Sequence, residues 1–350
     1  MPTLVKALSV ADAGAPFRTT TIERRDLGAT DVLIDIAYVG VCHSDVHFVR
    51  NDWGFSTYPM VPGHEITGVV AAVGTAVTRH AVGDPVAVGN LIDSCRECRN
   101  CRAGREQYCQ RGSVGTYNSV DRDGVPTSGG YSQKIVVDQD FVLKLPPSLN
   151  IAAAAPLLCA GITMYSALRH WRVGPDSRVA IAGMGGLGHL GVKLAAAMGA
   201  QVSVISRTSA NAWDAKRFGA VCHYALDDDT TLTALAGRFD LIISTVSATS
   251  DTAPLLNLLD TDGTLVMAGA PVEPLSAPVG LLIGGHRSLA GTSIGGIAET
   301  QEMLDFCAEH RITAEVEIIP ATGIEQAFAR LDAADVHYRL VIDAATFADL

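Results

Sequence analysis

RVAIAGMGGLGHLGVKLAAAMGAQVSVISR, residues 178–207, runs from an apolar strand through a glycine-rich turn into a helix and a second strand, which is the order of a βαβ unit. In this G-x-G-x-x-G spacing, Gly183 permits the tight turn, Gly185 lets the backbone approach a pyrophosphate, and Gly188 allows close helix–strand packing. Backbone N–H groups at the helix start favour an anion. The turn therefore predicts a dinucleotide site, although a purely structural turn is the alternative. The residues predicted to hold the dinucleotide here are Gly183, Gly185, Gly186, Leu187 and Gly188.

The end of the second strand indicates which dinucleotide is bound. A site that prefers NAD usually has an acidic residue about 20 residues beyond the glycine pattern, where it bonds the ribose hydroxyls. This chain has Ser206, Arg207 and Thr208 there. Both Ser206 and Arg207 can hydrogen-bond a 2′-phosphate, and Arg207 adds positive charge. We therefore expect NADP(H), bound by Ser206 and Arg207.

The pattern of apolar residues, Gly and Pro differs between the parts of the chain before and after this unit. Apolar runs at DLIISTVSA, GTLVMAGAP and SLAGTSIGG alternate with helical stretches, which predicts a doubly wound parallel sheet in an α/β fold. Residues 1–150 contain short Val-rich runs punctuated by Gly and Pro, typical of an irregular, mostly β domain. The tail alternates helix and strand again, and we expect it to pack on the N-terminal domain. Cys222 and Cys307 are predicted to be buried.

Length, charge and hydropathy exclude several classes of protein. The chain has 350 residues, enough for two domains, and a formal net charge of −11. Such a charge repels nucleic acid and anionic membranes, so neither is an expected partner. No apolar run reaches the roughly 18 residues of a membrane span, and the N-terminus has no signal-like core. We expect a cytoplasmic protein, in which the eight cysteines favour metal binding over disulfides.

A cysteine-rich lobe, residues 90–112, carries four thiols spaced C-x2-C-x2-C-x7-C. Four thiolates suit tetrahedral zinc and leave no position for water or substrate, so the lobe predicts a structural zinc site. Four nearby arginines, Arg96 among them, can offset the negative charge. The alternatives are an iron–sulfur cluster, whose usual spacings differ in order, and four unrelated thiols. The predicted ligands are Cys95, Cys98, Cys101 and Cys109.

A second set of metal donors is scattered along the chain. Cys42 ends the strand-like run AYVGVC, His64 follows Pro-Gly, and Cys159 begins a helical stretch. Two thiolates and one imidazole leave a fourth zinc position open, which is the catalytic arrangement. Each residue also has an ordinary alternative, because a lone cysteine is usually a small core side chain and a lone loop histidine usually lies at the surface. The residues alone leave this question open.

Several long stretches resemble the zinc-containing medium-chain dehydrogenases, and specifically their cinnamyl alcohol dehydrogenase branch. They are GVCHSDVHFVRNDWGFSTYPMVPGHEITGVV, the cysteine-rich lobe, GTYN, GGYSQKIVV, APLLCAGITMYSAL, GMGGLGHLGVKLA and GGIAETQEMLDFCAEH, between about residues 40 and 310. The resemblance implies a catalytic domain built on a chaperonin-10-like β-barrel, residues 1–153 and 295–350. It also implies an inserted Rossmann domain, residues 154–294, that binds NADP(H).

The resemblance assigns roles around a catalytic zinc, so that two Zn²⁺ per chain are expected. Residues matching Cys42, His64 and Cys159 bind that zinc, which acts as a Lewis acid on an alcohol or carbonyl oxygen. Glu65 matches a carboxylate beside the metal, and Asp45 matches a partner that orients the zinc-binding histidine. Ser44 and His47 match a hydroxyl and an imidazole that relay the proton. Their alternatives are a helix N-cap for Ser44 and a surface side chain for His47.

Further residues are expected around cofactor and substrate. Thr163 matches a hydroxyl near the nicotinamide, and Val246, Gly269 and Ile294 follow later strands that should line the cofactor crevice. An apolar wall for an aromatic or long-chain aldehyde is expected from aromatic side chains after the relay residues, with core packing or loop anchoring as the alternative. These aromatic residues are Trp53, Phe55 and Tyr58.

The resemblance thus implies reversible oxidation of primary alcohols and reduction of aldehydes by a homodimer. One alternative is a polyol or secondary-alcohol dehydrogenase of the same superfamily. The other is a sensor that binds zinc or NADPH without catalysis, which the presence of Cys42, His64, Cys159, Ser44 and His47 disfavours.

Overall fold

The computed structural model describes residues 3–226, 229–247 and 251–350, and the chain folds as two compact units. The first unit comprises Met1–Ile162 and Gly295–Leu350, and the second comprises Thr163–Ile294. The first boundary therefore follows residue 162 rather than residue 153. Residues 154–162 group with the first unit because the 3-10 turn Ala155–Leu158 packs against that unit's strands.

Strands dominate the first segment of the first unit. The strands are β1 (Thr3–Ser9), β2 (Arg18–Arg24), β3 (Asp31–Val41), β4 (Ile66–Val73), β5 (Pro85–Val88), β6 (Leu91–Asp93), β7 (Val114–Gly115), β8 (Lys134–Asp138) and β9 (Leu143–Lys144). The helices are α1 (His43–Arg50), α2 (Arg99–Arg102), α3 (Ile151–Ala154) and α4 (Ala160–His170), the last of which continues into the second unit.

The second unit alternates strands and helices. Its strands are β10 (Arg178–Ala182), β11 (Gln201–Ser206), β12 (Cys222–Ala225), β13 (Phe239–Ser244), β14 (Leu259–Met267) and β15 (Ser288–Gly291). Its helices are α5 (Gly188–Ala197), α6 (Ala212–Arg217), α7 (Asp229–Ala234), α8 (Ala253–Leu258) and α9 (Val279–Gly285). The strands lie in the order β12-β11-β10-β13-β14-β15 with parallel pairing throughout. The predicted doubly wound parallel sheet is confirmed.

The tail returns to the first unit as α10 (Ile297–His310), β16 (Val316–Pro320), α11 (Ile324–Asp332) and β17 (Arg339–Asp343). β17 pairs antiparallel with β3, so that Leu340 faces Val41. The resulting sheet has the order β16-β17-β3-β4-β5-β9, with β8 also paired to β3. Because β3 pairs with strands from early, middle and late in the chain, its carboxyl end is a fixed point at which functional side chains can be held.

Burial follows the expected patterns with one exception. The middle of β10 is fully buried, as expected for a parallel sheet covered on both faces. Cys307 on α10 is also fully buried, as predicted. The prediction for Cys222 was wrong, because this residue opens the edge strand β12 and its thiol is exposed.

Among the described residues, no single helix is long and apolar enough to span a membrane. Only the bent pair Ile151–Leu158 and Ala160–His170 reaches the required length and composition together.

Candidate active site

Four buried metal-binding side chains meet at the carboxyl end of β3. Cys42 directly follows β3, His64 and Glu65 directly precede β4, and Cys159 lies in the turn before α4. Their ligand atoms all lie within 4.8 Å of one another. The structure therefore brings together three residues that the sequence alone left open, and adds the Glu65 carboxylate to them.

A fully buried carboxylate, Asp45, organises this cluster. It lies in the first turn of α1, where its side chain accepts a hydrogen bond from the backbone N–H of Cys42 at 2.9 Å and so caps the helix. The Nδ1 atom of His64 lies 3.1 Å from Asp45 Oδ1. Three further donors complete the shell, which are the Gly63 N–H at 3.3 Å, the Tyr117 hydroxyl at 2.7 Å and the Tyr131 hydroxyl at 3.1 Å.

The donor atoms fit a bound cation. Because His64 uses Nδ1 towards Asp45, its Nε2 points into the cluster, where it is buried and has no hydrogen-bond partner among the described residues. The Oε2 atom of Glu65 is likewise buried and has no hydrogen-bond partner among the described residues. The sulfurs of Cys42 and Cys159 are 4.0 Å apart, close to the roughly 3.8 Å that separates two sulfurs on tetrahedral zinc. Buried polar atoms are rarely left without partners, so a metal ion accounts for both orphan atoms.

Burial and neighbouring groups shift the pKa values within the cluster in both directions. A hydrogen bond from the Cys159 thiol holds the pKa of Cys42 well below its usual value, although burial opposes this shift. Burial raises the pKa of Glu65 to about 7, although the Arg339 guanidinium opposes this shift. Arg339 is itself buried, and its Nη2 donates to Glu65 Oε1 and to the carbonyl of Val41. Gly40 on β3 is required beside this pair, because a Cβ there would collide with the Glu65 carboxylate.

The two predicted relay residues lie on one face of α1. The Ser44 hydroxyl is 3.6 Å from the Cys42 sulfur, and His47 follows three residues later, which is neighbour spacing on a helix. Nδ1 of His47 lies 2.7 Å from Oδ2 of Asp52, and the His47 ring lies 4.9 Å from the Trp53 ring. Asp52 leaves Nε2 as the nitrogen of His47 that can exchange a proton.

Aromatic rings form a continuous row from the metal donors to the surface. His64 stacks on Tyr117, whose ring contacts Phe48 edge to face. Phe48 in turn contacts the predicted wall residues Trp53 and Phe55, which stack on each other with centroids 6.1 Å apart. The third predicted residue, Tyr58, has its hydroxyl 3.0 and 2.9 Å from the carbonyls of Phe48 and Val49, so it anchors the loop to α1.

The four lobe cysteines also converge, with their sulfurs within 4.8 Å of one another. The Cys101 sulfur lies 3.8 Å from that of Cys95 and 3.4 Å from that of Cys98. Backbone N–H groups of Cys101 and Gln110 point at the Cys98 sulfur and lower the pKa of Cys98 to about 6, whereas burial raises the pKa of Cys101 to about 11. Such N–H donors stabilise thiolates, as a metal site requires.

One expectation for the lobe needs correction. Arg96 was expected to offset the charge of the thiolates, but its guanidinium pairs with Asp93, Asp138 and Asp140. Its charge is therefore balanced by carboxylates rather than by the thiolates.

In the second unit, the glycine-rich turn has the expected shape. Gly183 has a φ of +95°, which only glycine adopts without strain, and a Cβ at Gly188 would collide with the Gly183 carbonyl. Gly185 has open space where its Cβ would be, so a pyrophosphate can approach its backbone. Gly186 and Leu187 complete the turn before α5.

The other predicted cofactor residues of the second unit lie at or just beyond strand ends, except for Thr163, which lies on α4. Ser206 ends β11 and is half-buried, and Arg207 beside it is exposed. Val246 follows β13 and Gly269 follows β14, and a Cβ at Gly269 would collide with the Val246 backbone. Thr163 is buried on α4, and Ile294 has a φ of +31°.

Three contacts around the metal donors and the relay escaped the sequence reasoning. Asp52 stands five residues after His47, and the RNDWG turn that carries it was the available signal. Tyr117 lies in GTYN, which was noticed only as a matching stretch. Arg339 is 274 positions away from its partner Glu65, and no local pattern could have joined them.

Comparisons with known proteins show which families the chain resembles. Residues 28–147 match the alcohol dehydrogenase GroES-like domain, and residues 186–309 match the zinc-binding dehydrogenase family. NADP-dependent alcohol dehydrogenase C 1 of Mycolicibacterium smegmatis is 55% identical over 98% of both chains. Aldehyde reductase YahK of Escherichia coli is 48% identical over 99% of both chains. The structure of a cinnamyl alcohol dehydrogenase from Sorghum bicolor superposes with a TM-score of 0.95 at 41% identity, over 98% of both chains.

Replacing the buried lobe ligand by Cys101→Ser tests the structural metal site. We expect the zinc content measured by metal analysis to fall from two ions per chain to one. One oxygen ligand and three thiolates bind zinc less well than four thiolates do. The midpoint of thermal unfolding should fall by roughly 10 °C. Cys222→Ser removes an exposed thiol and is the matched control, which should keep both ions. Full zinc content and unchanged unfolding in Cys101→Ser would contradict the assignment.

Proposed function

The chain belongs to the zinc-dependent medium-chain alcohol dehydrogenases, and we propose that it interconverts primary alcohols and aldehydes with NADP(H), aromatic substrates such as cinnamaldehyde included. The observation that carries this proposal is the buried donor set Cys42, His64 and Cys159 with the unpartnered His64 Nε2 aimed into it. Ser44 and His47 on the adjoining helix supply the proton-transfer groups that such a reaction needs.

The side chains around the metal have distinct tasks. When bound by Cys42, His64 and Cys159, zinc supplies Lewis acidity towards the oxygen of the alcohol or aldehyde. Asp45 keeps His64 in the tautomer that offers Nε2, as carboxylates beside metal-binding histidines do. Glu65, tied to Arg339, supplies a further carboxylate oxygen within reach of the same point.

Alcohol oxidation releases a proton, and the chain offers a path for it. The Ser44 hydroxyl can accept that proton while it donates its own, because a hydroxyl is both donor and acceptor. His47 can take it at Nε2, since Asp52 accepts from Nδ1. Aldehyde reduction uses the same groups in reverse.

The proposed substrate class rests on the aromatic row. Phe48, Trp53, Phe55 and Tyr117 offer apolar ring faces beside the relay, which suits an aromatic or long-chain aldehyde better than a polyol. Tyr58 is assigned to anchoring the loop rather than to substrate contact.

The proposed cofactor is NADP(H), which accepts or returns the hydride. Support comes from the glycine turn for the pyrophosphate and from Ser206 and Arg207 at the end of β11, where an acidic residue would favour NAD. The relative from Mycolicibacterium smegmatis is an NADP-dependent alcohol dehydrogenase.

We further propose a cytoplasmic homodimer. Six of the eight cysteines lie in the two clusters of metal donors, a use of thiols that is typical of a reducing compartment. β15 is an edge strand of the parallel sheet, and α9 leaves Val279 63% and Ile283 76% exposed. An open strand edge beside exposed apolar side chains suits pairing with the same edge of a second copy.

The decisive assay is reduction of cinnamaldehyde by the purified holoenzyme with NADPH, with NADH, and after removal of zinc by a chelator. We expect activity with NADPH, weak activity with NADH, and loss of activity after chelation that added zinc restores. Faster turnover of polyols than of any aldehyde or primary alcohol would favour the alternative substrate class. Binding of NADPH without turnover of either class would favour a sensor.

His47→Ala tests the relay. Turnover of alcohol should fall on the order of 100-fold near pH 7, because a positioned acid–base group contributes about that much or more. The loss should shrink at higher pH, and small bases such as imidazole should partly restore the rate. The control is His43→Ala, whose ring lies 6.1 Å from that of His47. An unchanged pH–rate profile in His47→Ala would overturn the relay assignment.

Ser206→Asp tests the cofactor assignment. A carboxylate at the end of β11 should repel the 2′-phosphate and bond the ribose hydroxyls, so kcat/KM for NADPH should fall at least about 10-fold relative to that for NADH. Steady-state kinetics with both cofactors measure the ratio. An unchanged ratio would remove Ser206 from the site.

A further inference from the structure

His223 stands beside the residue proposed to choose the cofactor. It lies on β12, which runs parallel to β11, and its Nε2 is 2.8 Å from the hydroxyl oxygen of Ser206. Its side chain is half-buried, and burial lowers the pKa of His223. The mechanism proposed above makes no use of this imidazole.

The direction of this hydrogen bond follows from the second contact of Ser206. The Ser206 hydroxyl lies 2.7 Å from the carbonyl oxygen of Thr208, which can only accept. A hydroxyl has one hydrogen, so that hydrogen points at Thr208, and Ser206 must accept from the imidazole. The Nε2 atom of His223 therefore carries a proton and donates it to Ser206.

This direction matters for a phosphate ligand. If the imidazole accepted from Ser206, the hydroxyl hydrogen would be drawn inwards and would be lost to a phosphate. With His223 as donor, the hydrogen of Ser206 is directed to the Thr208 carbonyl, from which it can rotate to an incoming phosphate oxygen. Ionised phosphate oxygens only accept, whereas a ribose hydroxyl can donate or accept. The arrangement therefore favours a 2′-phosphate over a 2′-hydroxyl.

We propose that His223 is a positioning residue for the adenosine 2′-phosphate, acting through Ser206 by keeping that hydroxyl available as a donor. This inference rests on the proposed use of NADP(H). Selectivity is then a property of two adjacent strands, the end of β11 and the middle of β12, together with the exposed Arg207.

His223→Phe and His223→Gln test the proposal by kinetics with NADPH and NADH. Phenylalanine keeps a ring but has no donor, so the ratio of kcat/KM for NADPH to that for NADH should fall roughly fivefold, the worth of one hydrogen bond. Glutamine restores an N–H and should keep the ratio within about twofold of the original. Cys222→Ala, on the opposite face of the same strand, is the control and should leave the ratio unchanged.

Inhibitor binding shows whether His223→Phe affects recognition of the 2′-phosphate specifically or disturbs the folding of the site as a whole. Adenosine 2′,5′-bisphosphate should inhibit His223→Phe less strongly by the same factor, whereas 5′-AMP, which lacks the 2′-phosphate, should inhibit it as before. In a Ser206→Ala background, His223→Phe should have no further effect on the cofactor ratio, because the residue acts through that hydroxyl.

Different outcomes would refute the role of His223 and the proposed use of NADP(H) on which it rests. If the original protein prefers NADPH but His223→Phe leaves the ratio unchanged, or weakens both cofactors equally, His223 has no role in selectivity. An undiminished effect of His223→Phe in the Ser206→Ala background would also overturn the proposal, since the residue would act independently. If the unsubstituted protein shows no preference for NADPH over NADH, the proposed use of NADP(H) is itself overturned, and the inference about His223 falls with it.

Discussion

The hydrogen bonds to the buried carboxylate of Asp45 hold the active site together. A buried charge is costly unless every lone pair finds a donor, and Asp45 accepts from two backbone N–H groups, two tyrosine hydroxyls and His64. The donors come from the end of β3, the loop before β4 and two later segments. Satisfying one carboxylate therefore fixes the Cys42 backbone and the His64 ring in the same place.

The ion pair of Glu65 and Arg339 extends this constraint to the end of the chain. Arg339 opens β17, and its guanidinium also bonds the carbonyl of Val41 next to Cys42. A buried pair is weak evidence for stability, but loss of one partner leaves an uncompensated charge. Positive charge is also needed locally, because the Glu65 carboxyl group is buried beside the thiols of Cys42 and Cys159, which are proposed to bind zinc. The pairing of β17 with β3 thus serves the charge balance of the metal site as well as the sheet.

The sequence predicted features whose parts are close together along the chain. The glycine turn and the cysteine lobe each fit within a short window, so spacing alone indicated their geometry. The set Cys42, His64 and Cys159 spans 117 positions between its cysteines, and only the family resemblance united it. Asp52, Tyr117, Arg339 and His223 were missed because their roles depend on contacts created by folding. The errors for Arg96 and Cys222 arose similarly, because nearby carboxylates and an edge position cannot be read from residue type.

The metal site around Asp45 and the proposed cofactor-selecting pair of Ser206 and His223 differ in how much of the fold depends on them. Asp45 is fully buried and shared by several segments, so a change there disturbs the metal donors and the core together. Ser206 ends β11 and His223 lies on the edge strand β12, and the pair is half-buried beside the exposed Arg207. Surface substitutions away from the core usually cost little stability. Cofactor choice can therefore change by substitution at a few positions while the zinc chemistry and both cores stay intact. This separation follows from where each group lies, since the residues proposed to set selectivity belong to the second unit and every proposed ligand of the catalytic zinc belongs to the first.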